Sequence, residues 1–185
     1  MINKKIKFKE IEVSDAKIIL KWRREKRISD YQYTNITSSL KMQKKWILDS
    51  YEKENYYHWL ILFKKKPIGF ICINDLNLKK KETDWGYYIG ELESKIIGGL
   101  IPAYFYNYMF LHRDISLKKI TGHCFALNTK MRAIHRFYGV SEVKILKEYI
   151  CKHGKMFDIV LVEIMKEKWL SQKKIFKHYQ LIIKE

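Results

Sequence analysis

One segment constrains the fold more than any other: WGYYIG-ELESKIIGG-LIPAYFYNYMF, residues 85–110. Thr83 to Ile89 is rich in aromatics and predicts a strand. Gly90 to Gly99 predicts a loop, and Leu100 to Leu111, apolar at helical spacing, predicts a helix. A strand feeding a glycine-bearing loop and then a helix presents free backbone N–H groups and the positive end of the helix dipole, and both suit a pyrophosphate. Gly98 and Gly99 would let the backbone approach such a ligand closely. A glycine pair before a helix is also an ordinary turn, and neither GxxxxGK[ST] nor GxGxxG is present.

The flanking pattern sets this unit in a larger order. Lys4 to Val13 predicts a strand, and Ser14 a cap for a helix running to about Arg27 with Ile18, Ile19 and Trp22 on one face. Ser38 or Ser39 opens a second helix carrying Leu40, Trp46 and Ile47. Tyr56–Phe63 and Ile68–Leu76 form a hairpin around Lys64–Pro67. After the central unit come a strand at Lys118–Leu127 and a short helix at Asn128–Phe137, stopped by Gly139. A second hairpin, Val143–Cys151 with Phe157–Met165, turns at His153-Gly154, and residues 166–185 form a charged amphipathic tail. The order β-α-α-β-β-β-α-β-α-β-β implies an α/β fold: a single domain over 1–185, with a central, mostly antiparallel mixed sheet and helices on both faces.

Composition narrows the class. With 185 residues and 47% apolar content the chain can bury one sizeable core, which excludes disorder. No apolar run approaches the roughly 18–20 residues of a membrane span. The N-terminal MINKKIKFKE has no apolar signal region, and Cys72, Cys124 and Cys151 lie far apart, so a reduced, cytoplasmic protein with buried thiols is expected. The net charge of +17 permits an anionic ligand. Lys is spread over the whole chain, however, which reads as a solvated surface rather than a nucleic-acid footprint. His112, His123, His153 and His178 lack ligand spacing, so no metal is assigned.

Three pieces resemble the GNAT superfamily of N-acetyltransferases. WGYYIG with the loop Glu93–Gly98 is similar to the family's phosphate loop, Gln/Arg-x-x-Gly-x-Gly/Ala; Gly98 keeps the last position, Ile96 replaces the first glycine, and Glu93 stands where Gln or Arg is usual. ALNTKMRAIHRFYGV resembles the family's Asn-x-x-Ser-Ile-x-Leu-His-x-x-x-Gly-Phe stretch through Asn128, His135 and Gly139. The closing hairpin has Gly154, Asp158 and Trp169 in the family's usual places. Trp22-Arg23-Arg24 and PIGFICINDLNLKKKETDWGYYIG are similar to the narrower group acting on nucleotide-linked amino sugars, of the pseudaminic acid pathway type.

The resemblance implies acetyl-coenzyme A as co-substrate and direct attack by an amine. Its pyrophosphate would lie on Lys95, Ile96, Ile97, Gly98, Gly99 and Leu100, with Lys95 supplying positive charge. Ile89 would end a strand that splays from its neighbour and offers backbone groups to the pantetheine amides. Asn128 caps its helix or bonds the coenzyme arm. His135 would protonate the departing thiolate, with an activity limb near pH 6.5 or above; otherwise it is a polar residue exposed on a short helix. Tyr138 could do the same work or simply pack. Trp22 and Arg23 would meet the acceptor, Arg23 by gripping a phosphate or else by pairing with Glu25 or Asp30. Tyr31, Tyr33, Tyr56, Tyr57, Tyr87 and Tyr88 line a sugar pocket or serve as packing. The expected acceptor is a nucleotide-linked amino sugar for surface glycans. The alternatives are a protein N-terminus, a small amine, or a non-catalytic basic binding module. No membrane partner is expected, and the oligomeric state, a homodimer included, is left open.

Overall fold

The computed structural model describes residues 6–35, 39–111, 115–172, 179 and 182–184. His112, His178, Ser38 and Lys4 lie outside them. The chain runs β1 (Ile6–Glu10), α1 (Ala16–Arg24), α2 (Lys26–Ser29), α3 (Leu40–Tyr51), β2 (Tyr57–Phe63), β3 (Lys66–Asn77) and β4 (Glu82–Ile89). It continues through α4 (Lys95–Gly98), α5 (Ile101–Leu111), β5 (Lys119–Phe125), α6 (Thr129–Phe137), β6 (Ser141–Lys152), β7 (Lys155–Met165), α7 (Lys166–Ser171) and β8 (Ile182–Lys184).

Among the described residues the strands form one sheet in the order β6-β7-β5-β4-β3-β2-β1-β8. Pairing is antiparallel except at β4–β5 and β1–β8. Within the tail, α7 buries Trp169 completely, and β8 joins the sheet beside β1. Buried Asn107 on α5 accepts a hydrogen bond from Trp169 Nε1 at 3.0 Å and donates one to the Tyr179 carbonyl at 2.8 Å, which anchors this end of the chain.

Strand alternation divides the core in two. Trp85 on β4 stacks on Phe105 of α5 at 4.3 Å, within a cluster that includes Tyr106, Tyr138 and Trp169. Tyr88 points the other way, edge-on to Trp22 of α1 and stacked on Phe70 of β3. That second cluster holds Ile19, Ile47 and Leu60. Helix α5 is buried almost all round, which accounts for its nearly uninterrupted apolar sequence.

The local signals act much as the chain implies. Ser39 Oγ accepts from the Met42 N–H, and Asn128 Oδ1 from the Met131 N–H, so each caps its helix. Gly139 ends α6 with φ +73°. The first helix departs from expectation: its start is secured by Asp15, whose carboxylate accepts the Glu12 N–H at 2.9 Å, and Ser14 instead donates to Glu12. The helix also breaks at Glu25, whose backbone is extended.

Candidate active site

The parallel pair β4–β5 comes apart. Its register runs from Glu82–Lys119 to Trp85–Gly122 and stops. Beyond that point β4 remains paired with β3 as far as Ile89, and β5 with β7 as far as Phe125. Gly86 to Tyr88 thus have no partner strand on the β5 side. A cleft of about 800 Å³ passes through this opening and reaches both faces of the sheet.

On the α5 side the cleft is lined by Lys95, Gly98, Gly99, Asn128, Met131 and His135. Gly98 is required here by packing: a Cβ would lie 2.7 Å from Ile89 Cγ1, so the strand end, rather than a ligand, occupies that space. The turn is held by two phenols, Tyr87 donating to the Gly98 carbonyl at 2.9 Å and Tyr138 to the Gly99 carbonyl at 2.7 Å. Ile97 and Leu100 pack against the core, while Ile96 is 86% exposed; none of the three lines the cleft.

His135 is not an exposed helix residue. It is 6% exposed, and its Nδ1 has no hydrogen-bond partner. Burial pushes its pKa down to about 4, against a weaker opposing pull from Glu142. Burial thus favours the neutral imidazole. Tyr138 is 2% exposed, packs on Tyr106 and Trp169, and lies outside the cleft lining. Its hydroxyl donates to the Gly99 carbonyl at the turn before α5.

The α1 face differs from expectation at the Trp-Arg pair. Trp22 is fully buried: its Nε1 donates to Glu91 at 2.8 Å, and its ring fills the space that a Cβ on Gly90 would need. Arg23 donates to Thr34 Oγ1 at 2.7 Å, and neither residue lines the cleft. The arginine that reaches the site is Arg27. Its Nη1 donates to the Ile89 carbonyl at 2.8 Å, its Nη2 donates to the Gly90 carbonyl, and it pairs with Glu25. The carbonyl of Ile89 is consequently taken, which leaves Gly86–Tyr88 as the stretch of β4 that lacks a strand on the β5 side. Lys26 pairs with Asp30.

The same face of the cleft carries Tyr31, Tyr33, Phe70, Tyr88 and Phe125, with Tyr56 and Tyr57 elsewhere and exposed. In this aromatic setting stands a pair that sequence spacing did not reveal: His123 Nδ1 and Asp84 Oδ2, 2.9 Å apart. Burial raises the thiol pKa of Cys72 to about 12 and of Cys124 to about 11; Cys151, expected to be buried, is exposed. The two cleft thiols are therefore protonated and poor nucleophiles. Lys152, buried at the end of β6, donates to the Gln32 carbonyl at 2.7 Å and to the Ser29 carbonyl, tying the last hairpin to the segment after α2. No helix is long and apolar enough to cross a membrane among the described residues.

The cleft thus opens on both faces of the sheet where β4 and β5 splay apart. The family described as Acetyltransferase (GNAT) domain matches residues 5–141, and the chain belongs to it. It is thus an N-acetyltransferase whose co-substrate is acetyl-coenzyme A. Among solved structures, spermidine N-acetyltransferase from Vibrio cholerae in complex with CoA and spermine is similar at a TM-score of 0.80 and 18% identity, over 91% of this chain and 99% of that one. A probable acetyltransferase is similar at 0.77 and 20%, over 91% and 97%. A dodecameric spermidine N-acetyltransferase from Vibrio cholerae is similar at 0.74 and 16%, over 92% and 99%. No curated protein matches the sequence.

Proposed function

We propose that the protein acetylates the primary amine of a small molecule, with the coenzyme arm entering from the α5 face and the amine from the α1 face. The observation that carries this reading is the acceptor end of the cleft, whose lining brings Tyr31, Tyr33, Phe70, Tyr88 and Phe125 together with the His123–Asp84 pair. Asp30 nearby is already paired with Lys26. Such an aromatic lining suits an amine on an apolar body. The residues whose motif suggested a nucleotide-linked sugar do not reach the cleft: Trp22 is core and Arg23 donates to Thr34. The spermidine N-acetyltransferases that resemble this fold support a small-amine acceptor. The net charge of +17 works against a polycation, so an amine of low charge fits better than a polyamine.

The stretch Gly86–Tyr88, which lacks a strand on the β5 side, suits the amides of the coenzyme arm, as an added strand would. Lys95, Gly98 and Gly99 stand at the turn before α5, where the pyrophosphate would lie, and His135 faces the same side. The chain contributes positioning and backbone polarity, with no covalent acetyl-enzyme. The test is release of coenzyme thiol from acetyl-coenzyme A with four acceptor classes: aryl-alkyl monoamines, spermidine, a nucleotide-linked amino sugar, and a peptide with a free N-terminus. Turnover highest with monoamines is expected. Turnover of only the nucleotide sugar or the peptide overturns the reading.

A further inference from the structure

We propose that His123, oriented by Asp84, is the base that takes the proton from the acceptor amine. The inference rests on the amine-acetylation reading and assigns a residue to it. The pair sits where the sheet opens. Gly122 is the last β5 residue paired with β4, so His123 is the first beyond the ladder, and Asp84 lies one residue before the last paired position of β4. Both side chains line the cleft on the α1 face. That is the side opposite His135.

The geometry fixes the tautomer. A carboxylate only accepts, so the 2.9 Å contact makes Nδ1 the donor and leaves the Nε2 lone pair free. Asp84 is itself held by Asn74, whose Nδ2 reaches Oδ1 at 3.4 Å. The Tyr33 ring stands edge-on to the imidazole, with ring centres 6.1 Å apart. The side chain is 39% exposed, which gives the captured proton a route to solvent. His58, a second described histidine of this half of the protein, is wedged between Trp46 and Phe70 with its pKa lowered to about 4, and does not line the cleft.

In the step itself the amine nitrogen forms a bond to the thioester carbonyl carbon, and one N–H proton passes to Nε2. The tetrahedral oxyanion then re-forms the carbonyl as the C–S bond breaks; the sulfur leaves with the electron pair and takes a proton from solvent water, while Nε2 returns its captured proton to solvent. Hydrogen bonding to Asp84 raises the His123 pKa, against the opposing effect of burial. The other polar and titratable groups on this face include Asn74 and Cys72 of β3, Tyr88 of β4, Tyr31, Tyr33, Arg27 paired with Glu25 and Lys26 paired with Asp30 on the α1 side, Glu163 of β7 opposite Thr121, and Lys144 of β6 opposite Leu161. Asp84 is the one within hydrogen-bond distance of the ring.

The experiment compares the wild type, His123→Gln and Asp84→Asn. It measures the pH profile of kcat/KM with the best amine, the titration of His123 by NMR in the full chain, and coenzyme A affinity by calorimetry. His123→Gln should lower kcat by roughly 10²–10⁴ with coenzyme affinity unchanged. Asp84→Asn should move the His123 titration, and the activity limb with it, to lower pH while the fold is kept. If wild type turns over an amine and His123→Gln stays within tenfold of it, or Asp84→Asn leaves the titration in place, the assignment is overturned and the amine reading stands. If wild type turns over no amine, the reading falls and the assignment with it.

Discussion

Lowering the pH exposes the buried state of His135 directly. Its folded pKa of about 4 lies below the unfolded value of about 6.5. Between those values the unfolded chain binds the proton and the folded chain does not. Stability is therefore complete above pH 6.5 and is lost as pH falls toward 4. With each pKa unit worth about 1.4 kcal/mol, the limiting loss is about 3 kcal/mol, of which about 2 kcal/mol is gone by pH 5. Urea unfolding of wild type and His135→Gln at pH 7.5 and pH 5 isolates the effect, because His58 and the carboxylates titrate in both proteins. Wild type should lose about 2 kcal/mol more than the variant between the two pH values. Equal losses would refute the claim that His135 is buried and neutral, and would return it to the role of an imidazolium acid.

Two further outcomes follow from the strand end. Gly98→Ala places a Cβ 2.7 Å from Ile89 Cγ1, so it should destabilise the protein by about 1–3 kcal/mol and weaken coenzyme A binding. Ile89→Ala in the same chain should relieve the clash, giving a double-mutant coupling above about 0.5 kcal/mol by urea unfolding; additivity would mean the two do not meet. Arg27→Lys retains the charge but loses the fork onto the Ile89 and Gly90 carbonyls; a stability loss of about 2 kcal/mol by the same assay is expected, and no change would show the fork to be idle.

The elements were legible in the chain because each answers to local rules. Strand-forming runs around a turn placed β2 and β3, aromatic content placed β4, Asn128 and Ser39 marked helix starts, Gly139 marked a helix stop and Gly154 a hairpin turn, both at positive φ. What joins elements was less legible. Arg27 holds carbonyls 62 and 63 residues away, and no short motif encodes such a contact. His123 was set aside for lacking ligand spacing, yet its partner is 39 residues off on a parallel neighbour strand. Trp22 was read from a three-residue motif as an acceptor contact, although a large indole beside Ile18 and Ile19 on an amphipathic helix is more simply core. His135 lay on a helix whose buried face depends on packing that the sequence does not state.

Whether the coenzyme lies in the opening between β4 and β5 is tested most directly by hydrogen–deuterium exchange with and without saturating coenzyme A. The fold predicts new protection in peptides covering Gly86–Gly90 and Gly98–Ile101, and unchanged exchange in β1 and β2. Saturated protein with no added protection at Gly86–Gly90, or with protection centred on β1 and β2, would contradict it.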